Sequence, residues 1–191
     1  MGAIGGYYDF SGKGMDALCL RDMARAMMPW KRAGSEAVLF AHAAIFRNRS
    51  FQSENQADGI YRAERERGGY FLAVDGQMEE DPSACEALID RYRAEGLSCV
   101  AVQEGSFALA LYDEARDTLL LARDREGKRP LWFAIQGSLY AFASEPRGLH
   151  DLSKEIEEIL PGECVLLSPD GLHRFFGMRP YAWSGQKSRT L

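Results

Sequence analysis

The sequence predicts an α+β fold with antiparallel sheet at its centre, and three features of the chain predict it. Residues 105–145 read as four short strands joined by tight turns. Two segments, 15–28 and 82–96, carry apolar residues at helical spacing. Further apolar runs at 2–10, 37–46 and 69–75 have strand length and are flanked by turn residues.

Taken in order, residues 2–10 open on glycines that permit close approach of a neighbouring backbone, and the chain turns at 11–14. In 15–28, Leu20, Met23, Ala24 and Met27 fall on one face, with Pro29 as the expected stop. The methionines there suit adaptable core packing better than a soft binding surface. Residues 37–46 (AVLFAHAAIF) read as one buried strand. Residues 47–68 are polar and mixed in charge, a surface excursion containing either a short helix over 56–67 or a mobile loop. The run 69–75 is a strand that ends at Asp75-Gly76-Gln77. In 82–96, Cys85, Leu88, Ile89 and Tyr92 share a helical face, and Gly96 is the expected C-cap.

Within the central block, Phe107, Leu109 and Leu111 alternate with Ser106, Ala108 and Ala110. One face is bulky and the other small, which suits a strand covered on both sides. Residues 113–117 turn the chain, 118–122 return as a strand, and 125–128 turn again with Gly127 supplying a positive φ. Strands 131–135 and 139–143 then form a hairpin around 136–138. All four strands are expected in one antiparallel sheet. Arg123, Asp124 and Arg125 are expected to pair at the surface or within the sheet.

Bulk properties narrow the function. A chain of 191 residues that is 46% hydrophobic is expected to form one globular domain with a sizeable core. A net charge of −5 and a pI near 5.3 argue against nucleic-acid binding. No apolar run is long enough to cross a bilayer, and the N-terminus lacks the charged and apolar regions of a signal peptide. Cytoplasmic location follows as the expectation. Cys19, Cys85, Cys99 and Cys164 are scattered, so buried reduced thiols are expected, with neither disulfide nor metal site. No cofactor motif is present, since the glycine runs lack the ending of a phosphate-binding loop.

Three segments carry a family resemblance: G-x-F-A-x-A-L-Y-D from Gly105, L-x-x-R-D-x-x-G-x-x-P-L from Leu120, and F-A-S-E at 142–145. Together they resemble the glutaminase domain of asparagine synthetases, a class II glutamine amidotransferase with the N-terminal-nucleophile (Ntn) hydrolase fold. P-G-x-x-x-x-L from Pro161 and Asp170-Gly171 resemble the hairpin that closes that domain. The resemblance implies a four-layer αββα sandwich of two antiparallel sheets, with the helices outside. It places the domain at 1–176 and leaves 177–191 as a tail or linker stub.

The implied chemistry is largely missing. Gly2 stands where the family exposes a cysteine whose thiol attacks glutamine, so no nucleophile is present. Ala44 occupies the place of an arginine that clamps the glutamine carboxylate, and an alanine cannot form that bidentate pair. Asp75 replaces the asparagine that holds the oxyanion together with the N–H of Gly76; a carboxylate there repels the developing charge. Ala84 matches an aspartate that binds the α-amino group. Gly2, Ala44, Asp75, Gly76 and Ala84 are thus expected to border a remnant pocket, small and mildly anionic. His42 matches a family histidine, and its expected role is that of a hydrogen-bonded core residue.

Three readings follow. The first is a silent glutaminase-like domain that serves as scaffold or partner of a separately encoded ATP-dependent amide-forming synthetase. The others are a rearranged amidohydrolase or glutamine amidotransferase, and a small-molecule sensor using the residual pocket. The loss of four chemically independent groups favours the first.

Overall fold

The computed structural model describes residues 3–28, 34–48, 59–64, 68–78 and 83–178. Gly2, Pro29, most of the 47–68 excursion and the tail from 179 lie outside the described residues. The chain begins with β1 (Ala3–Asp9), α1 (Ala17–Ala26), β2 (Ser35–Leu39), β3 (Ala43–Asn48), β4 (Tyr61–Ala63) and β5 (Tyr70–Met78). It continues through α2 (Ala84–Glu95), a 3₁₀ turn, β6 (Gly105–Asp113), β7 (Thr118–Arg123), β8 (Trp132–Gln136) and β9 (Leu139–Ala143). Strands β10 (Ile156–Glu158), β11 (Glu163–Ser168) and β12 (Gly171–Phe176) complete it.

These strands form two antiparallel sheets, ordered β10-β8-β9-β1-β3-β2 and β12-β11-β7-β6-β5-β4. Among the described residues, each sheet carries one α-helix on its outer face. Leu20, Met23, Ala24 and Met27 of the α1 segment pack with Ala3, Tyr7, Ala44 and Phe46 of the first sheet. Leu88, Ile89 and Tyr92 of α2 pack with Leu72, Phe107, Leu109 and Leu111 of the second. The expected four layers are present.

The alternation in β6 assigns its faces. Its bulky residues lie under α2, whereas Ala108 and Ala110 face the other sheet with Ala73, Ile4, Tyr8, Phe133 and Phe142. Small residues on the second sheet thus leave room for aromatic rings from the first, as close packing demands. Asp16 caps α1 by accepting from Leu18 N–H at 2.7 Å, and Gly96 ends α2 with φ 63°.

Four expectations change. Residues 37–46 are a hairpin with a tight turn in place of one strand, closed by Phe40 N–H donating to Ala43 O at 2.8 Å. An unbroken apolar run hides such a turn, because the strands on either side share its character. The four strands of 105–145 are divided between the sheets, β6 and β7 in one and β8 and β9 in the other. β7 pairs with β6 on one edge and β11 on the other, so no edge is left for β8. Arg123 and Asp124, expected to pair at the surface or within the sheet, are buried at 5% and 1% exposure, and Arg123 pairs with Glu158 of the other sheet. Packing also continues past 176: Met178 is buried, and its N–H donates to Gly162 O at 3.1 Å.

Candidate functional site

Asp75 lies in β5 opposite Ala108 and is only 5% exposed. Burial pushes its carboxyl above the usual range; a hydrogen bond from Ser144 and the guanidinium groups of Arg129 and Arg47 pull the other way. Ser144, just after β9, links this carboxyl to β1. Its Oγ accepts from Ile4 N–H at 3.0 Å, and its own N–H donates to Ile4 O at 2.8 Å. The hydrogen-bonded path from Ile4 through Ser144 to Asp75 joins the two sheets near the start of β1. Asp75 Oδ1 nevertheless has no hydrogen-bond partner among the described residues.

Arg129 reaches this carboxylate from the loop after β7. Its Nη1 lies 3.9 Å from Asp75 Oδ1, near enough for an ion pair and too far for a hydrogen bond. Gly76 follows Asp75 with φ 105°, and a Cβ there would stand 2.9 Å from Cγ and Nε of Arg129 and 2.1 Å from Ser106 O. The arginine stem therefore lies directly against the glycine. Sequence spacing gave no sign of this, because Arg129 falls on an unspecified position of G-x-x-P-L.

The loop carrying Arg129 is organised by Asp124, whose carboxylate accepts from the backbone N–H of Phe107, Glu126, Lys128 and Arg129 at 3.0–3.3 Å. Arg123 reinforces it, donating from Nη2 to Gly127 O at 2.7 Å and from Nη1 to Ile159 O at 2.6 Å and Glu158 Oε1 at 2.7 Å. Buried charges persist where such hydrogen bonds satisfy them.

The predicted site residues are placed unevenly. Asp75 and Gly76 are together. Ala44 is wholly buried against α1, and Ala84 is buried in the apolar cluster on the opposite outer face. Arg129 and Arg47 offset the acid that was expected to leave the remnant mildly anionic.

His42 lies in the β2–β3 turn with its side chain 42% exposed, outside the core where it was expected. Its Nδ1 pairs with Asp117 Oδ2 in the β6–β7 turn, so the two sheets are clasped at this end. Tyr112 OH donates to Asp117 Oδ1 at 2.6 Å and Tyr8 OH to Asp117 O at 3.1 Å. Burial, together with this carboxylate, raises both tyrosines above their usual range. Nearby, Asp9 accepts from Ser11, Ser138 and Gly14. Burial alone would raise it, but these donors hold it down at about 2. Of the cysteines, Cys99 and Cys164 are buried as expected, while Cys19 is exposed and Cys85 half-buried.

Residues 70–171 match the family model described as glutamine amidotransferase domain. Asparagine synthetase [glutamine-hydrolyzing] 3 of Bacillus subtilis (strain 168) is 33% identical over 111 residues, covering 57% of this chain and 16% of that protein. Asparagine synthetase B [glutamine-hydrolyzing] of Escherichia coli (strain K12) is 35% identical over 101 residues, covering 52% and 18%. The matched part is less than a fifth of the length of either relative. Among solved structures, glutamine phosphoribosylpyrophosphate amidotransferase from B. subtilis, complexed with ADP and GMP, has a TM-score of 0.63. That likeness covers 92% of this chain and 49% of the other at 15% identity, and it concerns the fold alone.

Proposed function

This chain belongs to the glutamine amidotransferase domain family, and from that premise we propose that it is a catalytically silent member acting as scaffold or partner of an ATP-dependent amide-forming synthetase in the cytoplasm. The observation that carries this reading is the buried acid at Asp75, flanked by Arg129, where the family resemblance implies a neutral amide donor. Stabilisation of an oxyanion depends on preorganised donors aimed at the charge as it develops. An ionised Asp75 opposes that charge, and the arginine stem covers the adjoining glycine. Gly2 has no side chain to attack an amide, and the Ala44 methyl, buried against α1, leaves nothing to clamp a carboxylate. The names of the relatives, glutamine-hydrolysing asparagine synthetases, motivate the choice of a synthetase as partner.

The test is ammonia release from glutamine by purified protein, with mass spectrometry after exposure to a glutamine-mimicking chloroketone. The expected result is no release above buffer and no labelled N-terminus. Steady turnover by the unmodified protein would overturn the silent reading. Affinity capture from native cells addresses the partner: recovery of an ATP-dependent synthetase supports the scaffold role, and its absence from repeated captures rejects it.

A further inference from the structure

Strand β2 (Ser35–Leu39) ends the first sheet, with β3 on one side and, among the described residues, no strand on the other. The hairpin fixes which groups that open edge presents. Phe40 N–H donates to Ala43 O, so these two form a hydrogen-bonded pair, and in an antiparallel ladder Val38 with Ile45 and Glu36 with Arg47 follow as the next such pairs. The far side of β3 keeps the same phase. His42 O accepts from Asp9 N–H, so Ala44, Phe46 and Asn48 turn their backbone to β1. The N–H and C=O groups of Ser35, Ala37 and Leu39 therefore point outward from the edge of the sheet.

Sheets guard such edges with proline, bulges, very short strands or charged side chains. β2 has five residues, no proline and an unbroken register with β3. Its one charged side chain, Glu36, shares the inter-sheet face with Val38, where it accepts from Arg62 Nη2 at 2.6 Å and Ile60 N–H at 3.1 Å. On the outer face Leu39 is 59% exposed, with Ser35 and Ala37 exposed beside it. The remaining edges are better protected. β4 and β10 have three residues each. On β12, two-fold pairing about the middle of the strand sets His173 or Arg174 against its own copy.

We infer that β2 is a self-association edge whose occupant is β2 of a second copy of this chain, paired antiparallel about a two-fold axis at Ala37. The outward groups then meet as hydrogen-bonded pairs: Ala37 with Ala37, and Ser35 with Leu39 in both directions. All five residues overlap, and each Glu36 lies opposite a Val38. A slip of two residues either way leaves three residues overlapped, and one of the two slips sets Glu36 against Glu36. Charge and overlap thus select the same register. The small Ala37 side chain at the axis leaves room for Leu39 of each copy to lie across it, covering apolar surface that the single chain exposes.

Sedimentation velocity between about 1 and 200 µM tests this. Wild type should pass reversibly from monomer to dimer, with a Kd on the order of tens of micromolar, as suits a small interface. Ala37→Pro removes an outward donor and spares the bonds to β3, so Kd should rise by about tenfold or more with the circular dichroism unchanged. If that variant does not fold, Leu39→Lys, which alters an exposed side chain, carries the same comparison. Register is read by cross-linking in a Cys19→Ser background, which removes the exposed thiol. Ala37→Cys should link to itself under oxidised glutathione, since the Cα atoms of a hydrogen-bonded pair stand about 5.5 Å apart. Ser35→Cys, placed opposite Leu39, should not. A wild type that stays monomeric at about 200 µM, or a dimer that tolerates both Ala37→Pro and Leu39→Lys, would overturn the edge pairing. Equal cross-linking at 35 and 37 would overturn the register. Glutamine turnover by wild type would reject the silent reading and leave these measurements untouched.

Discussion

Arg123 Nη1 donates to the Ile159 carbonyl at 2.6 Å, so a guanidinium at the end of β7 in one sheet bonds to the chain leaving β10 of the other. The arginine is 5% exposed, and its second nitrogen holds Gly127 O at 2.7 Å. Replacing it with methionine strands two backbone acceptors at the crossing between sheets. The expected loss is about 2–4 kcal/mol in urea denaturation. Arg123→Lys, which keeps the charge but lacks the fork, should fall between the two. A methionine variant as stable as wild type would show that the crossing stands without this residue.

Acid should weaken the protein through Asp9. Its carboxyl is held down at about 2 in the fold against an ordinary 3.8. A depressed carboxylate contributes stability that is present above the unfolded value and lost as pH falls through the folded one. The urea midpoint should therefore decline between about pH 4 and 2, and Asp9→Asn should flatten that decline while lowering the plateau.

Alkali acts through the opposite group. Tyr8 and Tyr112 are raised above 10.0 by burial and by Asp117. Raised tyrosines contribute stability that is fully present below the unfolded value and is lost as pH rises beyond it. Stability should fall above about pH 10, with less fall in Tyr112→Phe. That variant also loses the 2.6 Å bond to Asp117, at about 1–2 kcal/mol near neutral pH. Tyrosinate absorbance should appear for these two rings only on unfolding.

Placing an arginine at position 44 should destabilise the fold. Ala44 is wholly buried among Leu20, Met23 and Phe46, so Ala44→Arg places a long cation in an apolar layer. A loss of about 4 kcal/mol or more is expected by thermal or urea unfolding. Gly2→Cys alone should produce no glutaminase activity in an ammonia assay, because Asp75 and Ala44 are unchanged. Detectable turnover from that single change would overturn the expectation that several groups must be restored together.

Much of the architecture could be read from one dimension. Both helices fall where the apolar spacing puts them, because an amphipathic stripe records its own burial. The alternation of large and small residues in β6 announces a strand covered on both sides. Turns within apolar runs were less legible: the break at 40–42 has neither glycine nor proline to mark it.

The sequence by itself carried the family resemblance, and it put Gly2 and Ala44 at positions where that resemblance implies a cysteine and an arginine. Tertiary structure decided which groups meet. Asp75 and Arg129 are 54 positions apart, and nothing in local spacing relates a strand residue to a loop residue carried past it by another strand. Arg123 was expected to pair at the surface or within its sheet; it is buried instead, because Glu158 of the other sheet, with Ile159 next to it, brings acceptors to it when the two sheets close. Periodicity reports how one element faces its surroundings, whereas long-range hydrogen bonds and charge pairs arise from the arrangement of several elements, which no single stretch encodes.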